Sequence, residues 1–86
     1  MTIKLFENNS LLKQCVAKVT ACTPKDGKYL VELDQTVFFP EGGGQLSDRG
    51  KLADAVVSHV SEKDGHIYHE CDKPLEVGAE VEAVLD

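Results

Sequence analysis

The chain has 86 residues and a mass of 9.4 kDa, enough for one small domain. A domain of this size buries only about 60% of its unfolded surface, so its core is thin. With 42% apolar and 28% charged residues it is too apolar for a disordered chain, and no apolar run approaches the ~20 residues of a membrane-spanning helix. The first residues, Met1 to Glu7, show neither an apolar signal core nor a cleavage site, so a secreted precursor is not expected. Nine Lys and Arg against fifteen Asp and Glu leave a net charge of −6. That balance argues against a domain that grips RNA alone, because phosphate binding depends on cationic side chains.

Taken in order, residues 7–14 could form a short helical turn capped by Ser10. The run 16–23 is apolar and is separated from the run 28–34 by Asp26-Gly27. Within the second run Tyr29, Val31 and Leu33 alternate with Leu30, Glu32 and Asp34, the period of a strand with one buried face. Residues 55–61 and 66–71 flank a second Asp-Gly pair, Asp64-Gly65. Asp-Gly suits a type I′ turn, so two β-hairpins are expected. Pro74 and Gly78 bracket a further turn. A last strand follows, with Val77, Ala79, Val81, Ala83 and Leu85 inward and Glu80, Glu82 and Asp86 outward. Short strands with little helix predict an all-β fold, a small closed or partly open β-barrel of about six strands, with a two-sheet sandwich as the alternative.

The negative charge is uneven. Residues 1–45 carry five bases and five acids, whereas residues 46–86 carry four bases and ten acids. The excess reads as a solvated face, in part the outer side of the last strand. Cys15, Cys22 and Cys71 are odd in number and include no C-x-x-C pair, which fits a reducing cytosol better than disulfides, and Cys15 and Cys22, in an apolar run, read as small buried hydrophobes.

The most informative stretch is 33–50, Leu-Asp-Gln-Thr-Val-Phe-Phe-Pro-Glu-Gly-Gly-Gly-Gln-Leu-Ser-Asp-Arg-Gly. Pro40 is expected to end a strand and set the path into the loop. Three consecutive glycines cost backbone entropy on folding, which a small domain is expected to avoid unless the backbone bends unusually or approaches a ligand. A nucleotide P-loop does not fit, since no Lys-Ser or Lys-Thr and no helical pattern follow. Gln45 follows the glycines directly; its uncharged amide offers two donors and an acceptor, able to orient a water or hold an ester carbonyl. Gly-Gly-Gln also occurs in peptide release factors, but in a basic loop, whereas Glu41 and Asp48 flank this one.

Leu33-Asp34-Gln35-Thr36, Phe38 to Gln45 and Asp48-Arg49-Gly50 together resemble the start of the editing domain of alanyl-tRNA synthetase and the free-standing AlaX-type editing proteins. Gly65-His66-Ile67-Tyr68-His69, Pro74-Leu75, Gly78, Val81 and Asp86 follow the same family's order, so the resemblance covers residues 33–86. It implies a β-barrel subdomain packed on a larger α/β subdomain, the two together hydrolysing tRNA(Ala) mischarged with serine or glycine in the cytoplasm. It implies a catalytic role for Gln45 and substrate-binding roles for Thr36, Gly42, Gly43, Gly44 and Asp48.

In that family zinc is held by a His-x-x-x-His pair and a Cys-x-x-x-His pair. The 86 residues contain no His-x-x-x-His, so no metal ligand is assigned here and zinc is expected in a full-length parent. His66 and His69 face opposite sides of a strand, whereas His69 and Cys71 share a face. A metal site made from His59, His69 and Cys71 is conceivable, but ordinary hairpin residues are the favoured reading of the three. The chain is thus expected to be the barrel portion, 1–86, of an editing protein cut before its zinc-binding subdomain, and inactive alone. Mischarged tRNA(Ala) is the expected partner through the parent, with no membrane contact, and an isolated barrel with an exposed apolar patch would self-associate. The alternatives are a piece of a full alanyl-tRNA synthetase, a ligase, which the N-terminal Met1 counts against, and a non-catalytic barrel that docks a partner.

Overall fold

The computed structural model describes residues 3–5, 13–40 and 48–85. The strands are β1 (Ile3–Lys4), β2 (Gln14–Lys25), β3 (Lys28–Leu33), β4 (Gln35–Thr36), β5 (Gly50–Leu52), β6 (Ala55–Lys63), β7 (His66–Cys71) and β8 (Glu80–Leu85). Six of them close into an antiparallel barrel in the order β2-β3-β7-β6-β5-β8. The barrel is the all-β fold that the period-two patterning predicts, and closure removes the free edges of an open sheet. β1 and β4 form a separate parallel pair, Ile3 opposite Gln35 and Lys4 opposite Thr36. No described helix is long and apolar enough to cross a membrane.

Both Asp-Gly hairpins are present. Lys25 pairs with Lys28, and Lys63 with His66. The intervening Asp26-Gly27 and Asp64-Gly65 all take φ between 49° and 82°, as a type I′ turn demands. A third hairpin had no such signal. Leu52 pairs with Ala55, and Ala53 adopts a φ of 53° that an alanine does not favour. Tertiary pairing holds it: the Ala53 amide donates to the Glu82 carbonyl at 3.0 Å.

β2 is long because it serves two neighbours. Its first half pairs with β8 and its second half with β3, and the register shifts between Val19 and Ala21. A second shift, between Val57 and His59, interrupts β6 against β7. Irregularities of this kind bend a strand around a small barrel. The inward residues make one core, including Val19, Val31, Leu33, Phe38, Leu52, Val57, Val60, Ile67 and Ala83. Cys71 is buried, while Cys15 and Cys22 are half-buried against that core; all three thiols are free.

Three local expectations are corrected. Val77 is 59% exposed in the turn before β8, not inward, because that strand begins only at Glu80. Pro40 does not end a strand: β4 stops at Thr36, and 37–40 run without regular structure. The helical turn expected for 7–14 falls largely outside the described residues, and Gln14 itself opens β2.

Gly50 is a close-approach position in the barrel. A Cβ placed there would lie 2.0 Å from the Val84 carbonyl oxygen and 3.0 Å from the Leu85 Cα. Both are backbone atoms of β8, which pairs with β5 at that point, so no side-chain rotation relieves the clash. Gly50→Ala is therefore expected to destabilise the domain by about 2 kcal/mol or more, read as a lowered midpoint in urea unfolding. An unchanged midpoint would contradict this packing.

Candidate functional site

Glu41 to Ser47, and with them Gly42, Gly43, Gly44 and Gln45, lie outside the described residues. The two ends of the segment are well defined. Phe39 and Asp48 face each other across its base: the Phe39 amide donates to Asp48 Oδ2 at 2.9 Å, and the Asp48 amide donates to the Phe39 carbonyl at 3.0 Å. Residues 39 and 48 are therefore held together at one point of the structure.

The residues before the loop are tied to the barrel by their side chains. Asp34 Oδ1 accepts from the Lys18 amide at 2.8 Å, while the Asp34 amide donates to the Lys18 carbonyl at 3.0 Å. Gln35 Nε2 donates to the Val16 carbonyl at 2.6 Å. Side chains here replace ladder bonds that an ordinary strand would make with its backbone. Thr36 turns inward and is fully buried. Its Oγ1 accepts from the Phe38 amide at 3.0 Å and lies 2.8 Å from His69 Nε2. A hydroxyl bonded to the amide two residues on turns the chain out of the strand, which is why β4 is short.

His69 is the other fully buried polar side chain among the described residues. It projects from β7, and its Nδ1 lies 2.8 Å from the carbonyl of Val31, its register partner on β3. A carbonyl only accepts, so Nδ1 carries the proton. Nε2 of the neutral ring is then an acceptor, and the Thr36 hydroxyl donates to it. Phe38 packs edge-to-face on the imidazole, with ring centroids 5.3 Å apart and planes at 84°. Each polar atom of this cluster has a partner, and no buried side-chain N or O among the described residues lacks one.

Burial lowers the pKa of His69 from 6.5 to about 4, against smaller opposing effects of the Val31 carbonyl and Glu32. Burial likewise pushes the Cys71 thiol up to about 12, and the Cys15 thiol upward. These two thiols are protonated at neutral pH and poor nucleophiles. The trio His59, His69 and Cys71 does not converge. His59 pairs with Glu70 and lines an outer groove with Ser61 and Tyr68, whereas His69 and Cys71 are buried inside. No group of three or more His, Cys, Asp or Glu among the described residues could hold a metal, and both ring nitrogens of His69 already face protein atoms.

Sequence reasoning singled out Thr36 and Asp48, and the structure places both at the stem of the loop. It missed Asp34 and Gln35 as ties, Gly50 as a close-approach residue and His69 as the partner of Thr36. A histidine at an inward position of a hairpin strand was the available signal for the last.

The depressed pKa of His69 has a pH consequence. Above pH 6.5 the ring is neutral in both folded and unfolded chains. Below it the unfolded chain takes up a proton that the folded one refuses until about pH 4. Stability from this residue is therefore full above pH 6.5 and lost as pH falls toward 4, by roughly 3 kcal/mol in all. Urea unfolding from pH 7.5 to 4 should show that loss in the wild type and a smaller one in His69→Gln. Parallel profiles would contradict the assignment.

A family profile described as tRNA synthetases class II (A) matches residues 3–86. Among individual proteins, the alanyl-tRNA editing protein AlaX-M of Pyrococcus horikoshii is 37% identical over the whole chain, which covers 39% of that protein. AlaX-M of Methanosarcina mazei is 42% identical over 93% of the chain, covering 33% of its own length. The alanine–tRNA ligase of Thermofilum pendens is 40% identical over 95% of the chain, which amounts to 9% of the ligase. The chain thus spans well under half of the relatives it matches. It belongs to the family of class II (A) tRNA synthetases and the alanyl-tRNA editing proteins related to them.

Proposed function

We propose that the chain is the barrel portion of an alanyl-tRNA editing enzyme that hydrolyses the ester of tRNA(Ala) mischarged with serine or glycine, in the cytoplasm. The observation that carries this reading is the Phe39–Asp48 clamp, which brings together the residues on either side of the Glu-Gly-Gly-Gly-Gln-Leu-Ser sequence. In this reading Gln45 and neighbouring backbone amides position the ester, and Gly42, Gly43 and Gly44 form a wall that leaves room for a small amino acid only. Thr36 and Asp48 act on the substrate through the loop they hold.

The described residues do not fit zinc, so no step is assigned to it here. The ligand pairs expected from the resemblance would belong to another part of a longer protein. By the same reasoning the 86 residues alone release no amino acid from tRNA. The net charge of −6 agrees with a piece that contributes a loop and leaves the grip on RNA to a more basic partner segment. The similarity to a ligase supports a second reading, the same barrel within an alanyl-tRNA synthetase; alanine-dependent aminoacylation by the gene's full-length product would select it.

In that full-length product, Gln45→Ala should lower hydrolysis of Ser-tRNA(Ala) by about tenfold or more, with the thermal midpoint unchanged. Unaltered hydrolysis would remove Gln45 from the mechanism.

A further inference from the structure

We propose that His69 is a positioning residue for the Phe38–Phe39 stem, which precedes Gln45 in the chain, and that it acts through the Thr36 hydroxyl. The inference rests on the editing function proposed above. The stem needs such a support because it has little ladder of its own: β4 is two residues long and 37–40 are irregular. What fixes it is a chain of contacts that starts in the barrel wall. The Val31 carbonyl orients the imidazole, Nε2 receives the Thr36 hydroxyl, and Thr36 Oγ1 receives the Phe38 amide. The Phe38 ring closes over the same imidazole. The next residue, Phe39, makes both bonds to Asp48 across the loop base. The support of His69 and the clamp thus fall on consecutive residues, Phe38 and Phe39.

The chemistry of the cluster favours positioning over mere filling. An apolar pair of the same shape can serve a core as well as a buried hydroxyl and imidazole, whose hydrogen bonds mainly offset their desolvation. A polar pair adds direction. The ring accepts at Nε2 along one line, and so sets the Thr36 rotamer and the angle at which the chain leaves β4. Positioning errors of about 1 Å can cost on the order of a hundredfold in rate when a reacting group is carried on the displaced segment. His69 touches no reacting atom in this scheme.

The test uses the gene's full-length product and steady-state hydrolysis of Ser-tRNA(Ala). Thr36→Val, which removes only the hydroxyl, should lower kcat by about tenfold while KM changes less than about twofold, and Thr36→Ser should stay within about twofold of wild type. His69→Gln keeps an acceptor near the hydroxyl, whereas His69→Met keeps the volume without one, so kcat of the Met variant should fall below that of the Gln variant. Thermal midpoints above the assay temperature confirm folded protein for each. Wild-type kcat in Thr36→Val, or equal kcat in the two His69 variants, overturns the inference and leaves the editing function standing. A wild-type protein that hydrolyses neither Ser- nor Gly-tRNA(Ala) overturns the editing function and this inference with it.

Discussion

A neutral imidazole held between two strands and a loop stem is the interaction on which the rest of the structure depends. His69 sits in the wall of a barrel whose described buried side chains are apolar apart from His69 itself and Thr36. It can be there only because both nitrogens are used, one as a donor to Val31 and one as an acceptor from Thr36. The same two bonds fix its tautomer and join β3, β7 and β4 at one place, while burial keeps the ring uncharged near neutral pH. After β4 the chain runs without regular structure through residues 37–40, with Val37 and Phe38 still buried.

Around that point the distinctive residues divide the labour. Asp34 and Gln35 bind the β2 backbone with their side chains, Thr36 binds His69, Asp48 closes the loop base, and Gly50 lets β5 lie against β8. The string that makes the chain recognisable is thus largely scaffold where it is described. Five polar or glycine positions, spread over seventeen residues, serve to deliver one short segment from a fixed base. A barrel suits that task, since closure leaves no edge strand to shift register.

The hairpins were legible because their signal is local. Asp-Gly occupies both positive-φ positions of the turns at 26–27 and 64–65, and alternation then sets the faces of the strands beside them. The hairpin at Ala53-Asp54 was not legible, because its conformation is imposed by β8 through the Glu82 carbonyl and leaves no mark on the turn residues. The path of Val77 was misread for a related reason: alternation continued past the point where pairing begins. For the site, Thr36 and Asp48 were visible through their neighbours. His69 was not, since its partner lies 33 residues away and nothing local distinguishes a satisfied buried histidine from an ordinary strand residue. Charge was legible as a total but meaningful only by region: the half that leads into the loop is neutral, and the acidic excess follows it.

The central claim is that His69 is a buried, neutral Nδ1–H imidazole that ties the loop stem to the barrel. It is tested most directly by following its two ring nitrogens by 15N NMR from pH 7.5 to 4. The account predicts a protonated Nδ1 and an unprotonated Nε2 throughout the range near 6.5, with protonation of the ring only as pH approaches about 4. Titration of both nitrogens near 6.5, or the opposite tautomer, would contradict it.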